Sequence, residues 1–251
     1  MSKFKQILKF FNDDTPYYAA SLSFFTIFSI LPLIALFIVV MAQLPSFLQH
    51  LDRIMLYLLD FINPTQSTAV AKALDGFLQN TNDLGNIGIF YLLFVFTMFF
   101  KDYEYIINRI YGTPSRAMYR WFFTYFGFLL LIPLLFFLFI FVSTMAKFSF
   151  SIHIIASFFI WVLFILLFIL SANRKISFGS AALASCITLV VLSITKSLFV
   201  YYVSVNTTYV TIYGSFSVVL FFFLWIYISW NIYLYGTKLC YILNKDKVYE
   251  D

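Results

Sequence analysis

Between Lys196 and Lys238 the chain runs 41 residues, Ser197 to Thr237, without one Asp, Glu, Lys or Arg. A fold in water cannot carry such a run, because its surface elements turn one face to solvent and that face needs polar groups. Composition extends the constraint to all 251 residues, which are 63% hydrophobic and 11% charged. Soluble domains average about 25% charged residues. Thirty-five Phe, eighteen Tyr and four Trp are more aromatic surface than one aqueous core can bury. Eight Gly and six Pro among varied apolar residues exclude a disordered or collagen-like chain. The solvent implied is a bilayer.

A hydrocarbon core of about 30 Å takes roughly 20 apolar residues of helix, and the backbone there must satisfy its own hydrogen bonds. Six stretches qualify: Tyr17 to Ala42, Leu84 to Phe100, Trp121 to Ala146, Ile152 to Leu170, Phe178 to Val203 and about Tyr213 to Leu243. The first is expected to start at Asp14 or Thr15, with Pro16 at the first helical position and an interruption at Pro32. The second is short and is expected to continue as a helix outside the membrane through Asn108. Pro133 predicts a kink in the third. The basic start, Lys3, Lys5 and Lys9, resembles a signal peptide, but the following run lacks a small-residue cleavage site and reads as a retained helix.

Basic residues set the orientation. Lys3, Lys5, Lys9, Lys101, Arg109, Arg116, Arg120, Arg174, Lys175, Lys238, Lys245 and Lys247 fall on one side of the six spans. Arg53, Lys72 and Lys147 fall on the other, with Lys196 inside a span. The bias predicts both termini in the cytoplasm. The net charge of +5 is then a topology signal, not a nucleic-acid footprint. The expected fold is all-α, one polytopic membrane domain over 1–251, with 1–16 and 244–251 cytosolic.

One long connection, 43–83, falls on the outer side. Phe47, Leu51, Ile54, Met55, Leu58 and Ile62 recur at helical spacing, Asn63 and Pro64 break the pattern, and Val70, Leu74, Phe77 and Leu78 resume it. Two amphipathic outer helices are expected, either a cap over the bundle or a lid in the outer leaflet. Tyr17, Tyr18, Trp121, Tyr201, Tyr202, Tyr209 and Tyr213 fall near the span ends, where an aromatic belt would lie.

Charge inside a span costs about 2.5 to 3.5 kcal/mol on insertion scales, so each case asks for a role. Lys196 either snorkels to the headgroups or meets an anionic group in a cavity, and Ser193 and Ser197 lie a turn away from it. Asn231 is a second polar outlier, whose amide needs partners in hydrocarbon. Glu104 and Asn108 share a helix face, with Arg109 adjacent. These three read as solvated interface charges or as an inner gate in which Glu104 pairs with a base from the loop between the second and third spans. Small residues at helical spacing, Ala19, Ser23 and Thr26, and Ala181 with Ser185 and Ala182 with Cys186, predict close helix packing.

Enzymatic constellations are missing from the sequence. His50 and His153 belong to no metal-ligand spacing, Cys186 and Cys240 to no CxxC pair, and no nucleophile elbow or phosphate-binding loop occurs. No catalytic site, metal or cofactor is expected.

Three blocks of residues carry a further signal. The first is Asp13, Ala19, Ala20, Leu22, Phe24, Ser29 and Pro32. The second is Glu104, Asn108, Tyr111, Arg116 and Pro133. The third and most specific is Lys196, Phe199, Tyr202, Tyr209, Ile212, Tyr213 and Gly214, then Trp225, Tyr227, Ser229 and Gly236. Together these blocks resemble the YihY/virulence factor BrkB family of bacterial inner-membrane proteins, with two departures: Gly236 is followed by Thr237 and Lys238 where that family usually has Ala-Glu, and Ser193 stands where an acid often precedes the lysine. The resemblance implies six spans in the inner membrane with cytosolic termini. The ribonuclease label such sequences have carried would require a metal-ligand set this chain lacks. The functions to weigh are transport or flipping of a lipid or amphipathic molecule in envelope maintenance, and a non-transporting scaffold. The partners expected are the bilayer, a lipid substrate, and another copy or an envelope protein.

Overall fold

The computed structural model describes residues 14–41, 72, 85–145, 149–206, 211–213 and 216–248. Six long helices account for almost all of them: α1 Thr15–Met41, α2 Gly85–Tyr111, α3 Met118–Met145, α4 Ser149–Ser171, α5 Phe178–Val205 and α6 Phe216–Val248. At 1.5 Å per residue the shortest, 23 residues, is about 35 Å long, enough to cross a hydrocarbon core. Of the described helical segments, Phe178–Val205 and Val219–Asn244 are both long and apolar enough to cross a membrane outright. The expected outer helices at 43–83, position 72 apart, lie outside the described residues, as do Asp13, Tyr209 and Gly214.

Helix ends follow local chemistry. The helix α1 begins at Thr15, with the Tyr18 N–H donating to the Asp14 carbonyl, so Pro16 sits at its second position, one later than expected. The helix α1 continues through Pro32, where an interruption is expected, and α3 continues through Pro133. Proline removes one ladder bond, which a surrounding bundle can absorb. The helix α2 continues past its apolar stretch to Tyr111 and stops in a Schellman turn: Gly112 has φ +63°, the Thr113 N–H donates to the Asn108 carbonyl, and the Gly112 N–H to that of Arg109. Ser177 caps α5, its Oγ accepting from the Ser180 N–H.

Each helix packs on its sequence neighbours, and α6 closes the ring against α1. The helix α2 also touches α4 and α6, which makes it the central element. Its second half is correspondingly buried, at Phe96, Phe99, Tyr103, Glu104, Ile106, Ile107, Asn108 and Tyr111. Of the two readings of Glu104 and Asn108, solvated interface groups or an inner gate, this burial removes the first. Trp121 is also buried, with its ring 6.4 Å from Tyr125, so it belongs to the core and not to an interfacial belt. Tyr17, Tyr201, Tyr202 and Tyr213 are exposed.

Small residues bring α5 and α6 together. Ser180, Ala181, Ala184, Ser185 and Thr188 form the buried stripe of α5, and Gly236, Thr237, Cys240 and Asn244 are buried on α6. A Cβ on Gly236 would stand within 3.0 Å of the Cβ, Cγ2 and Oγ1 of Thr188. Glycine is needed here for the approach of two helices, as small-residue interfaces in lipid require. Ala19 and Ser23 are likewise buried on α1, and Thr26 accepts a 2.8 Å bond from the Trp230 indole of α6. Cys186 is exposed, so of the two expected α5 pairs only Ala181 and Ser185 pack.

Candidate functional site

Where α2 ends, the chain gathers its buried polar groups. Glu104 is 1% exposed, two helical turns before Gly112. The Schellman turn there brings the α2–α3 linker back over Glu104. The Arg116 backbone N–H donates to Glu104 Oε1 at 2.9 Å, and an Arg116 guanidinium nitrogen lies 3.7 Å from Oε2. The Tyr125 hydroxyl, one helical turn past the buried Trp121 on α3, donates to Oε2. The carboxylate therefore has a charge partner and two hydrogen-bond donors, the condition under which a buried ion is tolerated.

Arg116 also reaches a third helix. Its other guanidinium nitrogen donates to the carbonyls of Leu170, at 2.7 Å, and Ala172. These lie at the end of α4, where the last carbonyls lack intrahelical partners and the helix dipole favours a cation. Asn108 completes the tie. Its amide donates 2.9 Å to the Glu104 carbonyl, while its Oδ1 accepts from the Thr113 hydroxyl at 2.8 Å and the Asn173 N–H at 2.7 Å. Asn173 in turn donates to the Pro114 carbonyl at 3.0 Å. On α6, Asn244 accepts from the Ser177 N–H at 2.8 Å and donates to the Lys175 carbonyl at 3.2 Å. The α2–α3 and α4–α5 linkers are thereby bonded to each other, and to α2, α3 and α6.

A second polar group sits close by on α2. Tyr103 bonds Tyr233 of α6 and, at 2.8 Å, Ser171 of α4. Its ring stands 5.5 Å from that of Tyr125, edge to face. Buried hydroxyls from α2, α3, α4 and α6 thus continue from the ion pair into the bundle.

The sequence-predicted residues divide. Glu104 and Asn108 stand together in this site, and Glu104 pairs with a base from the α2–α3 linker; that base is Arg116, while Arg109 is exposed. Lys196 is half-buried on α5, with Ser193 and Ser197 exposed and the Ser197 hydroxyl donating 3.2 Å to the Ser193 carbonyl. Asn231, half-buried, donates 2.9 Å to the Tyr227 carbonyl of its own helix. Trp225 is buried, its ring 5.3 Å from Phe199, and Tyr213 is exposed. Sequence reasoning missed Tyr103, Tyr125, Ser171, Asn173, Tyr233 and Asn244. A signal existed for the last: Gly236, Cys240 and Asn244 recur every four residues along one face of α6, ending just past the expected end of the span.

A bundle of long apolar helices holding an ion pair and a hydroxyl network in its interior defines an all-α membrane protein. The chain belongs to the virulence factor BrkB family, whose model matches residues 7–251. It is 28% identical over 240 residues to a UPF0761 membrane protein of Alteromonas mediterranea, covering 90% of this chain and 82% of that one. A UPF0761 membrane protein of Acinetobacter baylyi is 24% identical over 250 residues, covering 92% of this chain but 60% of its own length. A third, from Haemophilus influenzae, is 24% identical over 239 residues, covering 90% and 89%. No solved structure matches.

Proposed function

We propose that this protein moves a lipid or another amphipathic molecule across the bacterial inner membrane, as a transporter or flippase, in envelope maintenance. In this reading all six helices cross the bilayer, both termini lie in the cytoplasm, and the protein catalyses no covalent reaction. The observation that carries it is the buried Glu104–Arg116 pair, which bonds two linkers across one end of the bundle. An ionised pair inside a membrane protein marks a pathway or gate more readily than a brace, because apolar packing would stabilise the same helices with less desolvation. Closed by directional bonds at this cytoplasmic end, the bundle would open by breaking a few of them together, as gating of one half against the other requires.

The test is movement of labelled phospholipid and of a solute panel by the purified protein in liposomes. Wild type should move at least one lipid faster than empty vesicles, Glu104→Gln should change the rate, and Lys196→Ala should slow it. Rates equal to those of protein-free vesicles across the panel would overturn the reading.

The alternative, a non-transporting scaffold, is favoured by one observation. The Asn231 and Ser197 side chains bond the carbonyls of their own helices, as helix-lining polar groups without a substrate do. Photocrosslinkers placed at 43–83 discriminate: a stoichiometric protein adduct supports the scaffold, adducts mainly to lipid support transport.

A further inference from the structure

Around the buried ion pair the same end of the bundle carries exposed cations. Arg109 follows Asn108, Arg120 follows Arg116 by four residues, and Arg174 and Lys175 follow Asn173. Each stands within four residues of a bond that ties the linkers together, so their backbones are fixed relative to one another. Among the described residues none of the four has a carboxylate within ion-pair distance. Among the described side chains the acids at this end are engaged or apart: Glu104 is buried against Arg116, Asp102 is half-buried with the Ser21 hydroxyl 3.5 Å away, and Asp14 is exposed at the start of α1.

Exposed rings are interleaved with these charges. Tyr105, 55% exposed, precedes Arg109 by one helical turn on the same face of α2, and Tyr119, 64% exposed, precedes Arg120. Tyr119 and Arg120 stand in the first turn of α3, whose dipole adds to the attraction for an anion. Four cations with no acidic partner among the described residues, flanked by amphipathic rings on a membrane protein, match a surface of phosphate groups above acyl chains.

We propose that this rim binds the headgroups of anionic phospholipid, with Arg120, Arg174 and Lys175 as the main phosphate contacts. The proposal requires the bundle to lie in a membrane but does not depend on transport. A null result in the liposome assay leaves it standing, and transport by a protein that retains phosphatidylglycerol and phosphatidylcholine equally overturns only it.

The experiment uses the purified full chain in neutral detergent, offered equal amounts of phosphatidylglycerol and phosphatidylcholine, with retained lipid counted by native mass spectrometry. Phosphatidylglycerol should be retained at least about tenfold over phosphatidylcholine, and its retention should fall as salt rises. Retention should drop on the order of a hundredfold in R120Q/R174Q/K175Q and be kept in R120K/R174K. Equal retention of the two lipids, salt-insensitive retention, or an unchanged triple variant would each overturn the proposal. Displacement of the lipid by equimolar glycerol phosphate would overturn it in favour of a small-anion site. Should the triple variant fail to fold in phosphatidylcholine nanodiscs, the wild-type preference and its salt dependence decide.

Discussion

The two ends of the α5–α6 pair are held in different ways. At the linker end Asn244 bonds the backbone of Lys175 and Ser177, and Gly236 lets the helices approach until Thr188 touches its backbone. At the other end Phe199, Phe221 and Trp225 form a cluster of rings, while Val200, Tyr201, Tyr202 and Val205 around it are exposed. Rings in lipid gain little from burial, since the tails they leave are as apolar as the partner they meet; what they gain is packing. Hydrogen bonds in the same solvent are costly to leave unmade. The linker end is therefore specified by direction and the ring end by shape, and the two should respond differently to substitution.

The largest effect is expected at the ion pair. Glu104→Ala leaves the buried Arg116 guanidinium without its counter-charge and the Tyr125 hydroxyl without its acceptor, and should cost about 3–5 kcal/mol in unfolding measured by steric trapping in bicelles. Glu104→Gln keeps one acceptor oxygen and nearly the same volume, and should cost less. If Glu104→Ala costs no more than the ring substitution below, the contrast between the two ends is lost.

Gly236→Ala comes next. The added methyl meets Thr188, whose Oγ1 is fixed by a 2.7 Å bond to the Ala184 carbonyl, so the helices must part. The expected cost is about 1–3 kcal/mol. Thr188→Ala in the same chain removes two of the three crowding atoms and should recover part of it, a coupling a double-mutant cycle reads directly. Additive effects would mean that the two residues do not meet.

How much of this was legible in the sequence depends on the solvent each residue faces. The six helices could be read because hydrocarbon demands uninterrupted apolar length, a local property of the chain. Ala181 and Ser185 could be read as packing residues because small side chains in lipid have little other use. Glu104 and Asn108 stood out as polar, but which base would pair with Glu104 could not be read: Arg109 is adjacent in sequence, while Arg116 is brought over the carboxylate by the turn at Gly112. Burial of Glu104 follows from the central place of α2, which arises from contacts with α4 and α6 and leaves no mark on its own sequence. Tyr103, Tyr125 and Tyr233 were hidden for the opposite reason. In a chain with eighteen tyrosines, nothing local separates a phenol that meets another hydroxyl from one that lies at an interface.

Smaller losses are expected at the ring end. Trp225→Ala removes a ring 5.3 Å from that of Phe199 and should cost about 1 kcal/mol, the packing value of an aromatic pair without the hydrophobic gain it would carry in water. Ser197→Ala should fall within about 0.5 kcal/mol of wild type, since this exposed hydroxyl bonds only the Ser193 carbonyl one turn back and such bonds stabilise a helix little. The same substitution separates stability from function. A drop in liposome transport at unchanged stability would give the Lys196 face a role that its helix geometry does not require. Loss of both together would make that face structural, and the contrast between the two ends would then extend to what each end does.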